Sequence, residues 1–499
     1  MKTRNLILFS FAFAAMQAYG TTIPRITTNN VVNRSSADSI IVVKDQNAFA
    51  GAFLPSKDWQ PPRDQQAIEK LTDFQDLKFG IMFNWGTQTL FKTIDQSWSL
   101  CPERFDWNRR PKPFSEATDW DTYRKAYEDL MKTFNPEQFD PREQVSVMKN
   151  SGAKYIVVDA KHHDGFCFFD TKTTGYRITA EACPYSTNKH ANVMKEMLDQ
   201  VRDNGLWTGI YFSKADWNVP YYWAPQFGRP TTRCENYDRK AFPDVWERFA
   251  QFTRDQLEEL TTDYGKVDIL WLDGGQVSGS SFDLASVAAK ARKRNPGMLV
   301  VDRCNGGGYE DYITPEGVHQ MPKAYCPDAW EACMSLGGHG WAWTELGEEK
   351  SAPTVIRYLV KATARNGNLL LGVGPDYNGV FSKRTVEVLD SIGSWLKVNG
   401  EAIYGTRPIA PYETGNVFFT QKRDGSVYAI VVSKTDDEKA PGQVVIPSAL
   451  INEKSVVSVV GTNQVVPFKI NKKGFATIYL SKKNRPTGCA AWGFKISHR

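Results

Sequence analysis

The feature that most constrains the fold of this chain is an alternation of apolar, strand-like runs with segments of helical periodicity. Six runs are typical of buried strands, at residues 79–83, 155–158, 207–212, 267–271, 298–301 and 369–373. Between them, apolar residues recur at helical spacing, as in 193–201 and 245–260. Such repetition predicts a parallel sheet that is covered by helices on both faces.

Two closures of such a sheet are open at this point, a doubly wound open sheet and a barrel. A doubly wound sheet usually carries a glycine-rich phosphate loop after its first strand, whereas Asn84, Trp85 and Gly86 follow the first strand here. Polar and aromatic residues follow nearly every predicted strand, which is where a barrel keeps its active site. The sequence therefore favours an α/β fold of the (β/α)8-type, a TIM barrel. These strand-end residues are Asn84, Trp85, 161–164, 214–217, Asp273, Asp302 and Arg303.

The pattern changes at about residue 407, where short alternating runs separated by turn residues such as Asp424 and Gly425 begin. We expect an antiparallel β-sandwich over 407–499 that supports the barrel or contacts carbohydrate. The barrel is then expected over 76–406, preceded by a polar N-terminal arm at 21–75. The runs that predict sandwich strands are 417–420, 427–432, 443–446 and 476–480.

The first twenty residues have the pattern of a secretory signal peptide. Lys2 and Arg4 precede an apolar run at 6–16, and cleavage is expected near Gly20. The run is too short to span a bilayer, so we expect an exported protein, periplasmic or extracellular, with no membrane span. The net charge of +5 is small for 499 residues, and no concentrated basic face predicts nucleic-acid binding. Oligomeric state is left open.

Asp273 is the carboxylate most suited to chemistry. It follows a buried run and precedes two glycines, which places it at the exit of a strand beside a flexible turn. A retaining glycosidase needs such a carboxylate at the anomeric carbon and a second carboxyl group about 5–5.5 Å away. The alternative is that Asp273 caps the next helix, and its local sequence does not decide between the two roles.

A histidine pair, His162 and His163, follows the second strand. Paired histidines can bind metal, but neighbours on a strand point to opposite faces. The chain has only six histidines, and none of the others supplies a convincing third ligand. We therefore expect hydrogen bonds to sugar hydroxyls, with no metal or organic cofactor.

Four segments in this order resemble the signature segments of the family 29 α-L-fucosidases. The resemblance extends over roughly residues 75–405, with a sandwich of similar kind adjoining, and it implies that this chain removes α-linked L-fucose through a covalent intermediate on Asp273. The four segments are 162–166 (HHDGF), 271–275 (WLDGG), 367–375 (GNLLLGVGP) and 395–404 (WLKVNGEAIY).

The resemblance also implies roles for residues around the nucleophile. His162 and His163 match histidines that hold fucose hydroxyls, and Trp341 matches an aromatic residue that packs on the fucose methyl group. Tyr211, Trp271 and Arg303 match residues lining the same pocket. At each position the alternative is simple packing at the barrel mouth.

Two glutamates resemble the family's acid/base, Glu316 in Thr314-Pro-Glu316 and Glu331 in Ala329-Trp-Glu331. We favour Glu316. Such an acid must be neutral at the working pH, so burial beside apolar groups is expected to raise its pKa.

The sequence departs from the family in the expected sugar pocket. The family usually has His-Trp-Gly at the end of the first strand, where this chain has Asn84-Trp85-Gly86. The Glu-Trp pair that follows in the family has no clear counterpart, since Ser97 precedes Trp98 and Asp106-Trp107 is the nearest similar pair. These changes leave open a glycosidase for a related sugar. They also leave open a non-catalytic carbohydrate-binding protein on a hydrolase scaffold, which would bind fucosylated oligosaccharides or glycoconjugates without releasing sugar.

Overall fold

The computed structural model describes residues 60–103, 108–303, 305, 307–317, 320–462 and 464–497. The predicted signal peptide and most of the predicted arm lie outside these residues. Among the described helices, none combines the length and the apolar character that crossing a membrane requires.

A seven-stranded parallel sheet forms the centre of the larger domain. Its strand order is β5-β4-β3-β2-β1-β7-β6, so that the first strand lies in the middle and the sheet curls toward closure. All six predicted strands are present, together with β6, which contains the buried Glu331 and was not predicted from the sequence. The strands are β1 (Phe79–Phe83), β2 (Tyr155–Lys161), β3 (Trp207–Ser213), β4 (Ile269–Asp273), β5 (Leu299–Asp302), β6 (Trp330–Ser335) and β7 (Gly367–Val373).

Helices follow or precede these strands and cover the outer face of the sheet. The outward strand side chains and the helices share one large apolar core. The helices are α1 (Gln65–Leu77), α2 (Trp120–Glu128), α3 (Pro141–Asn150), α4 (Val193–Asp203), α5 (Pro243–Thr262), α6 (Leu284–Arg294), α7 (Ala352–Ala364) and α8 (Lys383–Asn399).

The gap between edge strands β5 and β6 is bridged by the segment 310–316. Glu310 pairs with Val301 of β5, while Ile313 and Glu316 pair with Trp330 and Cys333 of β6. Pro315 lacks an N–H group and cannot donate to a ladder, which accounts for isolated bridges in place of a regular strand. This segment thus occupies the eighth position of a barrel and carries Glu316 to its mouth.

The barrel interior is packed, with side chains from alternate strand positions forming a second apolar cluster. Helix α1 begins within the predicted arm and contributes Phe74 to this cluster. The Phe74 ring lies 5.3 Å from that of Tyr155 and 4.5 Å from that of Tyr312. Because Tyr155 is the first residue of β2, α1 covers the amino end of the strands and leaves the carboxyl end for a site.

The C-terminal region forms the predicted antiparallel sandwich. A six-stranded sheet of order β13-β12-β16-β10-β9-β8 faces a three-stranded sheet of order β11-β15-β14, and the two share a separate apolar core. Their strands are β8 (Arg407–Thr414), β9 (Val417–Gln421), β10 (Val427–Val432), β11 (Gln443–Pro447), β12 (Val456–Val459), β13 (Gln464–Val466), β14 (Phe468–Ile470), β15 (Phe475–Tyr479) and β16 (Ala491–Ser497).

Gly393 provides a test of how closely helices α3 and α8 pack. A Cβ atom at this position would lie 1.9 Å from the carbonyl oxygen of Asn150, the last residue of α3. Helix propensity alone predicts that Gly393→Ala stabilises the protein by about 1 kcal/mol. We expect it instead to lower the free energy of unfolding by about 1–3 kcal/mol, because backbone atoms must move.

Thermal and denaturant unfolding of Gly393→Ala would measure this change. Ser394→Ala, at the next and exposed position of the same helix, is the matched control and should shift stability by no more than about 0.5 kcal/mol. A stabilised Gly393→Ala variant would show that the two helices do not approach this closely.

Candidate active site

The carboxyl ends of strands β1 to β5 bring most of the sequence-predicted site residues together. Asp273 is the last residue of β4 and pairs with Ser213, the last residue of β3. Arg303 directly follows β5, and His162 directly follows β2. Parallel strands expose their carboxyl ends at one edge, so residues distant in sequence share one pocket.

Asp273 is held from two sides. Its Oδ2 accepts a hydrogen bond of 2.8 Å from the Tyr211 hydroxyl, and its Oδ1 lies 3.2 Å from a terminal guanidinium nitrogen of Arg303. Burial is the largest influence on its pKa and acts to raise it. The charge of Arg303, together with the neighbouring His163 and the Tyr211 hydrogen bond, outweighs burial and holds the pKa of Asp273 well below its usual value.

Arg303 connects Asp273 to Glu316. The second terminal nitrogen of its guanidinium lies 2.5 Å from Oε2 of Glu316. The Arg303 side chain is 6% exposed, against 19% for Asp273 and 32% for Glu316, so the cation is the deepest of the three groups. The guanidinium also lies 5.1 Å from the ring centroid of Trp271. One buried cation therefore fixes two partly accessible carboxylates at the barrel mouth.

Glu331, the other candidate acid, lies inside the barrel near the amino end of β6. Its carboxylate accepts hydrogen bonds from Trp271 Nε1 at 3.1 Å, from the Tyr155 hydroxyl at 2.5 Å and from the Tyr312 hydroxyl at 3.4 Å. Burial raises the pKa of Glu331 to about 7 against these donors. The side chain is fully buried, with the Trp271 indole donating to it from the strand that carries Asp273.

The two histidines are neutral hydrogen-bonding groups. Nδ1 of His162 bonds to the Ser97 hydroxyl and Nδ1 of His163 to the Ser213 hydroxyl, which leaves each Nε2 for a ligand. Burial lowers the pKa of His163 to about 4 and that of His162 well below its usual value. Neutral imidazoles that are anchored through Nδ1 are suited to binding hydroxyl groups.

His162, His163 and Asp273 also have the proximity that a metal site needs, since one potential ligand atom from each lies within 4.8 Å of the others. This group satisfies the three-ligand criterion that the sequence did not. However, Arg303 lies against Asp273, and its guanidinium would repel a metal cation placed there. Hydrogen bonding to a neutral ligand fits the charges better.

Aromatic rings line the pocket around these polar groups. Tyr211 stacks between His162 and Trp271, at centroid distances of 5.9 and 5.5 Å. Trp98 lies edge-on to His163 at 5.1 Å, although the sequence showed it only as a tryptophan that follows the unexpected Ser97. Such rings can stack on the C–H faces of a sugar.

Trp341 and Asn84 lie together on the other side of the pocket. A Cβ atom on Gly372 would come within 2.9 Å of both the Asn84 amide nitrogen and the Trp341 ring, so this glycine makes room for their approach. The backbone N–H of Trp341 donates to Asp95 Oδ1 at 2.7 Å. The sequence did not single out Asp95. Burial, aided by the charge of Glu316, raises its pKa to about 6.

Trp85, like Glu331, is a predicted site residue that the structure places away from the open pocket. Its ring stacks on Phe168 at 5.2 Å and contacts Phe139 at 5.1 Å, and its Nε1 donates to the Asp376 carbonyl oxygen. It therefore packs in the outer core. The Asp106-Trp107 pair lies outside the described residues.

Two buried ion pairs that sequence reasoning missed fix the strand ends. Lys161 pairs with Asp216, and Lys214 pairs with Asp302, all with nearly inaccessible side chains. The Lys214 backbone N–H also donates to the Asp273 carbonyl oxygen at 3.0 Å. Breaking a buried pair costs about 3–5 kcal/mol, so these contacts strongly restrain the strand that presents Asp273.

Comparison with solved structures agrees with this architecture. An α-L-fucosidase isoenzyme from Paenibacillus thiaminolyticus superposes with a TM-score of 0.70 at 24% identity, covering 87% of this chain and all of that one. An α-L-fucosidase from Bacteroides thetaiotaomicron gives a TM-score of 0.70 at 21% identity, covering 89% of this chain and 98% of that one. The shared fold is a TIM barrel followed by a β-sandwich.

Sequence comparison gives the family. An α-L-fucosidase of Dictyostelium discoideum is 27% identical over 82% of this chain and 87% of its own length. The human plasma α-L-fucosidase is 27% identical over 72% of this chain and 75% of its own length. The α-L-fucosidase family model matches residues 50–401, which include every site residue described above. This chain therefore belongs to the α-L-fucosidase family, glycoside hydrolase family 29.

Proposed function

We propose that this chain is an exo-acting α-L-fucosidase that hydrolyses terminal α-L-fucosyl linkages of oligosaccharides or glycoconjugates with retention of configuration. The observation that carries the proposal is the arrangement of Asp273 and Glu316 on one Arg303 guanidinium. Two carboxylates that share a guanidinium are near neighbours, as the spacing of about 5–5.5 Å in retaining glycosidases requires.

Asp273 is the nucleophile in this proposal. Its depressed pKa keeps the carboxylate ionised, and the contacts from Tyr211 and Arg303 fix both oxygens. A carboxylate oxygen attacks the anomeric carbon from the face opposite the glycosidic oxygen. The new carbon–oxygen bond forms as the bond to the leaving group breaks, giving a fucosyl-enzyme ester.

Glu316 is the acid/base. In the first step it gives its proton to the departing glycosidic oxygen. In the second it takes a proton from water, which attacks the anomeric carbon and breaks the ester to Asp273. Its position on the irregular segment 310–316 and its 32% exposed side chain leave it accessible to a leaving group and to water.

Glu331 has a pKa suited to an acid, but its position argues against this role. A general acid must come within hydrogen-bond reach of the proton acceptor. Glu331 is fully buried and both of its oxygens are already bonded to the barrel interior. We assign it a structural role, that of supporting Trp271 from inside the barrel.

The remaining polar groups recognise the sugar. The Nε2 atoms of His162 and His163 are left for hydroxyl groups, and Trp98, Tyr211 and Trp341 supply apolar surface. The relatives from Dictyostelium discoideum, Rattus norvegicus and Homo sapiens are named α-L-fucosidases. One structural relative, from Bacteroides thetaiotaomicron, was crystallised as a trapped covalent intermediate with 2-fluoro-fucosyl fluoride, which supports a covalent route on this scaffold.

Replacing the nucleophile tests the covalent step. Asp273→Ala should lower kcat/KM for 4-nitrophenyl α-L-fucoside by about 10⁴-fold, because no carboxylate remains to attack. Azide enters the space that the carboxylate leaves and should restore release of 4-nitrophenol, giving the inverted β-L-fucosyl azide. Kinetics with and without azide, and NMR of the product, measure both effects.

Asp268→Asn is the matched control, because Asp268 precedes the same strand at its opposite end and pairs with Lys70. Its kcat should stay within about twofold of wild type. Wild-type protein that binds fucosylated glycans without releasing sugar would reject the enzymatic proposal and support a binding protein.

Replacing each glutamate separates the two candidate acids. Glu316→Gln should lower kcat/KM by about 10²–10⁴-fold for phenyl α-L-fucoside, whose leaving group needs a proton, and far less for an activated aryl fucoside. Azide should then attack the fucosyl-enzyme and give the retained α-azide. Glu331→Gln should change kcat/KM by less than about tenfold, because it removes no group that touches the substrate.

The same Glu331→Gln variant has a signature in stability. The carboxyl group has a pKa of about 7 when folded and an ordinary value of 4.5, so wild type loses stability as pH rises from about 4.5 to about 7. The amide cannot ionise, so this part of the pH dependence should be absent from the variant in thermal unfolding. Loss of acid catalysis in Glu331→Gln, with wild-type activity in Glu316→Gln, would reverse our assignment of Glu316 as the acid/base.

We further propose that the protein is exported and acts outside the cytoplasm. Lys2, Arg4 and the apolar run 6–16 support this, together with the small residue Gly20 at the expected cleavage site. Expression of the full chain in a bacterial host should yield a processed protein that starts near residue 21 in the periplasm or medium. N-terminal sequencing of the recovered protein checks this, and an unprocessed cytoplasmic product would contradict it.

A further inference from the structure

Asp159 is a buried carboxyl group that the proposed mechanism does not use. It is 3% exposed, and among the described residues no protein group makes a hydrogen bond of normal geometry to either of its carboxylate oxygens. The backbone N–H of Trp85 is the polar group that approaches it. Buried polar groups in native proteins almost always have a partner, from the protein, water or a ligand, so this carboxyl group calls for one.

The strand register places Asp159 beside Asn84. The last paired residues of β1 and β2 are Phe83 and Val158, and Asn84 and Asp159 are the next residue on each. Two residues earlier, Met82 and Val157 both belong to the barrel-interior cluster. Because side chains alternate along a strand, Asn84 and Asp159 also point inward, one layer nearer the mouth.

Asn84 has an unused hydrogen-bond donor. The side chain is fully buried, and within the described part of the chain its Nδ2 has no hydrogen-bond partner, whereas its Oδ1 accepts a long contact of 3.4 Å from Gln96. Asn84 Nδ2 lies next to the Trp341 ring at the pocket wall. On the other side, Asp159 interacts electrostatically with Tyr211 and Asp273. The two unpartnered groups therefore border the sugar pocket from below.

We propose that Asn84 and Asp159 form a hydroxyl-binding floor of the sugar pocket, in which one hydroxyl of the bound sugar accepts from the Asn84 amide and donates to the Asp159 carboxyl group. A hydroxyl is both a donor and an acceptor, so a single one satisfies both residues. This inference rests on the proposed function, since it assigns a specificity contact within the same pocket.

The electrostatic environment suits this role. Burial, followed by the charges of Asp164 and Asp273, raises the pKa of Asp159 well above its usual value. This shift favours the neutral carboxyl form, which can both accept and donate a hydrogen bond and adds no negative charge beside Asp273.

Binding of L-fucose and its 2-, 3- and 4-deoxy analogues to the full-length protein, by calorimetry and by competitive inhibition, tests this contact. For wild type, removing the contacted hydroxyl should weaken binding by about ten- to a hundredfold. The Asp159→Leu variant should bind L-fucose more weakly by a similar factor. The deoxy sugar that wild type binds poorly should bind to this variant as well as L-fucose does. Asp159→Asn, which keeps a donor and an acceptor, should restore most of the discrimination.

Asn84→Ala removes the other proposed partner of the same hydroxyl, and it keeps the test decisive if Asp159→Leu does not fold. It should erase discrimination against the same deoxy sugar. Asp268→Asn is the matched control, because Asp268 is a buried carboxyl group at the amino end of the strands whose partners are Lys70 and the Thr208 N–H, and it should leave the order of the deoxy sugars unchanged.

Unchanged relative affinities of all the deoxy sugars in both Asp159→Leu and Asn84→Ala would overturn the inference, because the floor would then hold only water. Hydrolysis of aryl α-L-fucoside by wild type distinguishes this failure from failure of the proposed function, since the enzyme would still be active while the hydroxyl contact was absent.

Discussion

The Arg303 guanidinium is the group on which the geometry of the pocket depends. It contacts Asp273 at the end of β4 and Glu316 on the segment 310–316. Without this cation, burial would raise the pKa of Asp273, because the charge of Arg303 is the largest influence that opposes burial there. Because Arg303 directly follows β5 and lies over Trp271, the sheet positions the cation that contacts both carboxylates.

The restraint extends outward from Arg303 through its sequence neighbour. Asp302 pairs with the buried Lys214 and accepts a hydrogen bond from the Gly279 N–H, so it ties the ends of β3, β4 and β5 to one carboxylate. Buried ion pairs contribute little net stability over an apolar replacement, but they demand one geometry, because any displacement leaves a charge without its partner. At a catalytic pocket this demand keeps the reacting groups aligned before substrate arrives.

Charge is distributed unevenly across the pocket, so that the ionised nucleophile is separate from the neutral groups proposed to bind sugar hydroxyls. Asp273 is held ionised on the side of Arg303 and Tyr211, while the histidines are held neutral through burial and their serine partners. Below them, burial raises the pKa of Asp159 well above its usual value, and Asn84 is uncharged. A neutral sugar therefore meets neutral hydrogen-bonding groups on most sides and a full negative charge only where the anomeric carbon reacts.

Much of the fold could be predicted from local pattern. Strand β1 and helix α4 begin where the apolar runs predict them, because each buries one continuous apolar face. Strand β6 was missed because its inward residues include Glu331, a polar side chain that is satisfied only by tyrosines and a tryptophan from elsewhere in the barrel. The segment 310–316 was missed because Pro315 breaks the strand pattern, although its neighbours still bridge to both edges of the sheet.

The sequence by itself determined the barrel, the sandwich and the placement of Asp273 at a strand exit, because periodicity and motif order are local properties of the chain. Only the tertiary structure decided how distant residues combine. It brought Glu316 and Asp273 to one guanidinium, enclosed Glu331 in the interior, packed Trp85 in the outer core, and placed Asn84 beside Asp159. Those outcomes follow from strand register and barrel closure, which join residues that local pattern cannot relate.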